Sequence, residues 1–413
     1  KNLTRLNRRR IETTLLRVHK VPLLMLLVNL FFLTINFFVR LAMGFNRLLE
    51  KTGLRVNEHQ KSDEQSIPLP ESMSARVIDD SPSVLLVIEE SIPQCFRYRV
   101  QQKLEQLEYL ERKTEWVSWR EHSKAWEKIH LYDLIIFYRV PGFPDVLRLM
   151  QNAKKLKKLM SYEHEDLIFD EQRLAEKFKG STGQLPGYEH KAMLEGAKLY
   201  RAALQCCDYA IASTPTLAEE MQKVVAKGVC ELLPNALDNG LLDHYHLPRP
   251  PQSDQFIDIF YGSGTRTHDE DFALVAPVLK RVLEENSQVR LVIVGHLTIP
   301  AELDSVKQRI VSLPIMSFDS FLTVLSQAKI AIAPLEPGRF ADCKSEIKWI
   351  EAALFGIPCV VTPTRTYRDV IEDGEDGILA GDDREWYEAL TRLVTDNTFR
   401  DSVGTAACNK VLE

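Results

Sequence analysis

Charged residues at helical spacing stand out in the C-terminal third of the chain. Lys344, Lys348 and Glu351 follow one another at i, i+4 and i+7, so a helix would carry them on one face, with an apolar stripe beside it. Lys344 and Ser345, at the predicted start of that helix, would hold a diphosphate through positive charge and the helix dipole. Glu351, further along, would accept hydrogen bonds from sugar hydroxyls. The alternative is a solvated helix face on which Lys348 and Glu351 form a surface pair.

A glycine-rich turn is a second candidate for phosphate binding. It consists of Gly262, Ser263, Gly264 and Thr265, and it follows a predicted strand and precedes a predicted helix. Glycines at such a turn let backbone N–H groups approach a phosphate at the helix N-terminus. The turn lacks the full G-x-G-x-x-G of a dinucleotide site and the G-K-[ST] of a P-loop, so an ordinary tight turn is the alternative.

Acidic residues and a histidine follow another predicted strand, in the first half of the chain. Glu163, His164, Glu165 and Asp166 are consecutive. His164 would position a donor sugar or an acceptor hydroxyl, and one of the three carboxylates would assist proton removal. The alternative is a solvated loop at a strand end. Carboxylates are the ligand type that fits a hard cation, but the number and spacing of these three are not specific for a metal site. We therefore predict no metal site.

The elements that must position these residues alternate between short apolar runs and helical stretches. This alternation predicts two successive α/β units with parallel sheets, over residues 83–245 and 255–413. Prolines and a glycine within residues 240–254 indicate an interdomain linker. Ligands of such sheets bind outside the carboxyl ends of the strands, so we expect the strand-end loops of both Rossmann-like units to face one cleft.

The N-terminal segment differs in composition from the two α/β units. Residues 1–56 are basic and apolar and predict a helical leader; within it, Val21 to Val39 contain no charge and have positive flanks. We expect a helix that lies in the cytoplasmic leaflet of an anionic membrane. The alternative is a helix buried in an oligomer or in a neighbouring domain. Residues 57–82 are polar and proline-containing and indicate a linker.

Composition and charge narrow the class of protein. The chain has 413 residues, of which 45% are hydrophobic and 27% are charged, so a disordered or collagen-like protein is excluded. The net charge of −6 divides into +6 over residues 1–20, +3 over residues 40–61 and −15 over the rest, which argues against a nucleic-acid partner. The seven cysteines include no C-x-x-C pair, which argues against a zinc site and favours a reducing, cytoplasmic location.

The motifs of the second unit, taken in order, resemble those of a known family. They are LVIVG at Leu291–Gly295, EAALFGIPCVV at Glu351–Val361, Y-x-x-V-I-x-D-G at Tyr367–Gly374, and DGIL at Asp376–Leu379. As an ordered set they resemble the C-terminal half of a GT-B glycosyltransferase of the large retaining family 4. The variant Thr267-His268-x-x-Asp271-Phe272, together with Lys344-Ser345, resembles a subclass among bacterial surface-polysaccharide transferases. The N-terminal half resembles this family more loosely.

The resemblance implies a fold, a donor and an acceptor. It implies two Rossmann-like domains that face a cleft, with a nucleotide-diphosphate sugar on the C-terminal domain and an acceptor on the N-terminal domain. It implies transfer with retention of anomeric configuration, without a cofactor or a required metal.

Two departures from the family pattern concern the site. Family members usually have two glutamates separated by seven residues; Glu351 matches the second, which is expected to bind the donor ribose, whereas Cys343 stands in place of the first. The usual arginine and lysine after the donor-loop glycine are also absent. We expect Lys344 to restore the positive charge and Asp342 to replace the lost carboxylate. His164 and Asp342 are therefore the predicted catalytic residues, since the family often places a histidine or aspartate near the reacting sugar.

These observations favour a glycosyltransferase on the inner face of the plasma membrane, acting on a glycan or a lipid-linked acceptor in surface-polysaccharide synthesis. Two alternatives stay open from the sequence. A nucleotide-sugar 2-epimerase would share the two-domain fold but use no acceptor. A non-catalytic GT-B module that binds glycan or scaffolds a larger protein would explain the missing first glutamate, but it would not explain the retained Lys344 and Glu351.

Overall fold

The computed structural model describes residues 81–177, 187–247, 255–264 and 268–413. The predicted leader, residues 1–56, and most of the predicted linker, residues 57–82, lie outside the described residues. Residues 83–412 form one compact unit. Two six-stranded sheets lie within this unit, and every pairing between neighbouring strands is parallel.

The first sheet has the strand order β2-β1-β3-β4-β5-β6. Its strands are β1 (Val84–Ile88), β2 (Thr114–Ser118), β3 (Leu134–Tyr138), β4 (Leu159–His164), β5 (Tyr209–Ala212) and β6 (Cys230–Leu232). The strands β1 and β3 are buried along their whole length, as expected for a parallel sheet with helices on both faces.

The helices of the first domain connect these strands. A continuous helical segment begins with α1 (Pro93–Phe96), passes through a π-helix (Arg97–Gln101) and ends with α2 (Gln102–Tyr109). The others are α3 (His122–Lys128), α4 (Pro144–Lys155), α5 (Glu171–Lys177), α6 (Gly187–Cys206), α7 (Pro215–Gln222) and α8 (Asn239–His246), with 3-10 turns at Trp119–Glu121 and Ile129–Leu131.

The second sheet has the strand order β12-β11-β10-β7-β8-β9. Its strands are β7 (Ile257–Ser263), β8 (Val289–Gly295), β9 (Ile310–Leu313), β10 (Ile330–Ala333), β11 (Cys359–Val361) and β12 (Ile378–Leu379). In both sheets the strand order reverses beside the first strand of the domain. Such a reversal opens a crevice at the carboxyl ends of the strands, where ligands of this fold class bind.

The helices of the second domain end with two that pack on one another. The helices are α9 (Asp269–Ala273), α10 (Ala276–Glu285), α11 (Phe318–Leu325), α12 (Arg339–Asp342), α13 (Ile347–Leu354), α14 (Arg365–Val370), α15 (Asp383–Thr395) and α16 (Asn397–Leu412), with a 3-10 helix at Ala301–Arg309.

Several helix starts follow from single polar residues that the sequence places directly before them. The side chains of Thr214, Asp238 and Thr364 each accept a hydrogen bond from the backbone N–H three residues further on, which satisfies a donor that the helix leaves free. A proline at the first or second position of α7 is compatible with this geometry, because the first helical N–H has no partner within the helix.

Two local predictions are corrected by the structure. The predicted linker, residues 240–254, begins with a helix: Asp238 caps α8, which continues to His246, and residues 248–254 lie outside the described residues. The helix predicted to begin near Ser345 begins at Ile347. Lys344 and Ser345 therefore lie in the turn between α12 and α13 and not on the helix itself.

The two domains share hydrophobic cores. Phe340 and Cys343, which follow the second sheet's strand β10, pack into the core of the first domain. Conversely, Tyr98 of the π-helix and Leu241 of α8 belong to the core of the second domain.

Ion pairs between α7 and the second domain add to this contact. Arg339 donates to Glu219 at 2.8 Å and to Glu220 at 2.7 Å, and Arg365 also contacts Glu219. The Thr214 hydroxyl donates to the backbone carbonyl of Cys343 at 3.2 Å. The carboxyl ends of both sheets are thereby held over one shared space.

Candidate active site

A cavity of about 880 Å³ lies between the two domains at the carboxyl ends of their strands. The loops after β3 and β4 contribute Arg139 and Asp166 from the first domain, and the turn before α13 contributes Lys344. The end of β7 and helix α13 of the second domain add further residues to the wall: Gly262, Ser263, Gly264, Lys348 and Glu351. The structure thus brings the predicted turn and the predicted lysine and glutamate together. Thr265 lies outside the described residues.

The glycine turn at the end of β7 depends on close approach to the neighbouring strand. Gly295, the last residue of β8, pairs with Ser263 and has a φ of +108°. A Cβ atom at Gly295 would lie 1.9 Å from the Ser263 carbonyl oxygen, so only glycine fits without a shift of the backbone. Both residues line the cavity.

We therefore expect Gly295→Ala to lower the melting temperature by about 5 °C or more, through backbone strain and the clash with Ser263. The matched control is Gly264→Ala, because Gly264 also lines the cavity and an added Cβ there meets nothing within 4 Å. Differential scanning calorimetry on the two variants checks this. Equal melting temperatures for both would contradict it.

Glu351 is a buried carboxylate in the cavity wall. Its side chain is buried, and Oε1 accepts a hydrogen bond from the Tyr98 hydroxyl at 2.8 Å. Burial raises the pKa of Glu351 to about 7, against the opposing effects of Tyr98 and Lys348. A carboxylate in such a place is well suited to accept hydrogen bonds from ligand hydroxyls.

Lys344 bridges the cavity to the first domain. Its Nζ donates to Asp166 Oδ1 at 2.5 Å, and Asp166 also contacts Arg139. Burial opposes ionisation of Asp166, but the charges of Lys344 and Arg139 hold the pKa of this carboxyl well below its usual range. Arg139 in turn pairs with Glu165. This cluster holds two cations and two anions, so its charges balance before any ligand binds.

Lys348 has no such partner. Its Nζ is buried and makes no hydrogen bond with any described residue; it lies 4.6 Å from the centre of the Tyr261 ring. Burial lowers the pKa of Lys348, and the neighbouring carboxylates of Asp271 and Glu351 act in the opposite direction. An ammonium group that lines a cavity without a hydrogen-bond acceptor can bind an anionic ligand oxygen.

His164 lies outside the cavity wall. The imidazole is fully buried at the end of β4, packed against Phe169 and Tyr200, and its Nδ1 accepts a hydrogen bond from the Asp166 N–H at 3.0 Å. Burial lowers the pKa of His164 to about 4, so the ring is neutral at pH 7. In this geometry His164 shapes the loop that carries Asp166, and a direct contact with a sugar is not supported.

Asp342 and Ser345 are also absent from the cavity wall. Asp342 Oδ1 accepts a hydrogen bond from the Arg365 N–H at 2.9 Å, so this carboxylate binds the start of α14. Cys343, at the position of the family's first glutamate, is buried in the core of the first domain, and burial raises the pKa of its thiol to about 12. The geometry therefore does not support Asp342 as a replacement for the missing carboxylate.

Some cavity residues are missing from the predicted site. Lys348 lies on the same predicted helix face as Lys344 and Glu351. The spacing of these three residues could have identified Lys348 as a site residue. Arg139 follows β3 directly and has a φ of +52°. The other non-glycine residues with positive φ among those described, Glu111 and Lys157, follow helix ends, where this conformation is common. Only a structure reveals the strain at Arg139.

The described residues contain neither a candidate metal-binding cluster nor a helix that could cross a membrane. No cluster of three or more histidine, cysteine, aspartate or glutamate side chains there could hold a metal ion. None of the helices in the described ranges is long and apolar enough to cross a membrane.

Known proteins resemble this chain in the sequence of its second domain and in its fold. Residues 259–396 match the family described as glycosyl transferases group 1. The chain is similar to Anabaena Alr3699/HepE in complex with UDP and glucose, with 14% identity, a TM-score of 0.53, and coverage of 80% of this chain and 94% of that one. The HepE complex with UDP is 13% identical to this chain, with a TM-score of 0.51 and coverage of 80% of this chain and 94% of that one. The complex with UDP-glucose is 13% identical, with a TM-score of 0.50 and coverage of 79% and 94%. No curated protein matches.

The prediction of a GT-B fold with two Rossmann-like domains is confirmed. The two parallel sheets and their shared cavity agree with the similarity to HepE over both domains. The match of residues 259–396 to group 1 glycosyl transferases lies in the second domain, where the ordered motifs also lie.

Proposed function

We propose that this protein transfers a sugar from a nucleotide-diphosphate sugar to an acceptor hydroxyl. The observation that carries the proposal is the convergence of Lys344, Lys348 and Glu351 on one interdomain cavity, beside the glycine turn that ends β7. Cations and a hydrogen-bonding carboxylate on one wall match a diphosphate that is linked to a hydroxyl-rich ribose. The match of residues 259–396 to group 1 glycosyl transferases supports the same assignment.

Each part of the cavity has a task in this reaction. Bond cleavage leaves negative charge on the diphosphate, and Lys348 and Lys344 stabilise that charge where it develops. Glu351 accepts hydrogen bonds from the ribose hydroxyls and so fixes the donor. The acceptor reaches the sugar from the first domain, where Asp166 lines the cavity and can orient an acceptor hydroxyl. No step requires a metal or a cofactor.

The finer assignments are supported by sequence alone. We infer retention of configuration, membership of family 4 and a glycan or lipid-linked acceptor in surface-polysaccharide synthesis from the resemblance of the sequence motifs to that family. A cytoplasmic location at the inner membrane face follows from the basic, apolar residues 1–56 and from the cysteine pattern.

A thermal-shift screen of nucleoside diphosphates and their sugars tests the proposal. UDP and UDP-glucose come first, because HepE was solved with both. A ligand at about 100 times its Kd is expected to stabilise the protein by about 2.7 kcal/mol. Glu351→Ala is expected to abolish the shift, whereas Glu388→Ala, an exposed glutamate on α15, is expected to leave it unchanged. The absence of a shift with every nucleotide would refute the proposal.

A further inference from the structure

The helix that follows β1 contains an unusual turn next to the cavity. Residues Arg97–Gln101 form a π-helix between two α-helical segments. Such widened turns are rare and occur frequently at functional sites. Three consecutive side chains of this turn, those of Arg97, Tyr98 and Arg99, contact three different parts of the protein.

Arg99 anchors the turn in the first domain. Its Nε donates to Glu163 Oε1 at 2.7 Å, and Nη1 donates to Asn235 Oδ1 at 2.9 Å. Lys103, one turn further along the helical segment, also donates to Glu163 at 2.9 Å. All four side chains are buried. The base of the π-helix is therefore fixed relative to the first sheet.

Arg97 contacts the second domain. Its guanidinium lies 4.2 Å from the centre of the Phe318 ring at the start of α11. It also pairs with Asp238 at 3.2 Å, the residue that caps α8. The residues on both sides of Tyr98 are thus bound to other elements of the fold.

That residue, Tyr98, reaches the predicted ribose-binding carboxylate. Its ring is buried in the core of the second domain, and its hydroxyl donates to Glu351 Oε1 at 2.8 Å. A carboxylate has two oxygens. Oε1 is bound to Tyr98, Gln94 also hydrogen-bonds to the carboxylate, and both Gln94 and Glu351 line the cavity.

We propose that Tyr98 is a positioning residue for the donor site: it orients Glu351 and keeps this carboxylate an acceptor for ligand hydroxyls. The inference rests on the function proposed above. Tyr98 and Arg99 are consecutive residues of the π-helix, and Tyr98 contacts the second domain while Arg99 stays bound to the first. Tyr98, a side chain of the acceptor-side domain, therefore orients a carboxylate of the donor-side domain.

The charged and titratable groups around Glu351 set the expected pH dependence. They are Tyr98, Arg97 and Lys348, all of which favour the ionised carboxylate, together with the hydrogen-bonding Gln94. Burial outweighs them and raises the pKa of Glu351 to about 7. Loss of the Tyr98 hydroxyl removes a hydrogen bond to the charged form, so the pKa of Glu351 rises further. As the pH is lowered, Glu351 in the variant therefore takes up its proton at a higher pH than in wild type. Ligand binding is lost at that higher pH.

The test compares Tyr98→Phe with Tyr132→Phe by titration calorimetry with UDP, GDP and ADP from pH 6 to pH 9. Tyr132 is a matched control because it is buried and its hydroxyl also donates to a glutamate, Glu115, at 2.8 Å, away from the cavity. For wild type and control we expect affinity to fall as pH falls through about 7. For Tyr98→Phe we expect the same fall about one pH unit higher, with up to about tenfold weaker binding at pH 7 and near-equal binding at pH 9. Titration of the nucleotide itself cancels between variants.

The possible outcomes separate the two proposals. If wild type binds a nucleotide and the three pH profiles superimpose, Tyr98 does not position Glu351. A loss of affinity in Tyr98→Phe that is equal at every pH would reveal a purely structural role and also overturn the inference. If wild type binds none of the nucleotides, the proposed function itself fails, and the inference fails with it.

Discussion

Lys348→Met is expected to raise the melting temperature of the free protein while it weakens the binding of a nucleoside diphosphate at least about tenfold. Both effects follow from one observation: the Lys348 ammonium is buried without a hydrogen-bond acceptor among the described residues. An unsatisfied buried polar group costs about 1–3 kcal/mol, and methionine fills the same space without that cost.

The loss of the positive charge is tolerated in the free protein. Glu351, which Lys348 faces, has a pKa of about 7 and can take up a proton when the ammonium is removed. We therefore expect a gain of about 1 kcal/mol, or about 2 °C. In the complex, by contrast, a charge-assisted hydrogen bond to a phosphate oxygen is lost, which is worth about 1.5–3 kcal/mol. This corresponds to a loss of about 10- to 100-fold in affinity.

Calorimetric melting and titration with UDP and uridine measure the two effects. Uridine lacks phosphate, so its binding is expected to be the same in Lys348→Met and wild type. Lys280→Met is the control, since Lys280 is an exposed lysine of α10 outside the cavity wall. A lower melting temperature, or an equal loss for uridine and UDP, would show that Lys348 supports the fold and not the diphosphate.

Glu163→Gln is expected to cost about 3–5 kcal/mol of folding free energy. Glu163 is completely buried and is the common partner of Arg99 and Lys103. Glutamine has the same shape, but it leaves two buried cations without their counter-charge. Glu121→Gln, which breaks an exposed pair with Lys124, is expected to cost less than about 1 kcal/mol.

The pH dependence of this deficit has a definite sign. Burial lowers the pKa of Lys103 to about 8 in the folded protein, against an ordinary value of 10.5. Without Glu163 the folded pKa of Lys103 falls further, so the unfolded variant binds more protons than the folded variant over a wider pH range. Its stability then rises with pH more steeply than that of wild type between pH 7 and 8.

Urea denaturation of both proteins at pH 7 and pH 9 checks this prediction. The difference between wild type and Glu163→Gln is expected to shrink at pH 9, where Lys103 can be neutral, but not to vanish, because Arg99 stays charged. Equal denaturation midpoints at pH 7 would contradict the assignment of Glu163 as the anchor of this cluster.

Much of the fold could be predicted from sequence because parallel strands are short and uniformly apolar. Val84–Ile88 and Leu134–Tyr138 are apolar runs of this kind, and each forms a strand that is buried along its whole length. The short strands β9 and β12 were missed, since two to four residues carry little periodic signal. The helix α8 was missed because the glycine and prolines of residues 240–254 indicated a linker.

The site could be predicted only in part, because local spacing does not show what lies across a domain boundary. Glu351 and Lys344 were identified from their own segment. Their partners Tyr98 and Asp166 are 253 and 178 residues away in sequence, and no local pattern connects them. His164 was selected by residue type alone, and only the packing of the folded chain shows that it is fully buried and does not line the cavity.

The packing of Phe340 and Cys343 into the first domain bears on how this protein could be recombined with others. A chimaera joined within residues 248–254 would take the second domain whole from one parent. It would then present two side chains to a foreign first domain whose core had not been shaped to receive them. The natural unit of exchange is therefore the second domain together with the surface of α7 and the core positions that receive these residues. Exchanging second domains between proteins of this fold requires that larger unit to be moved as one piece.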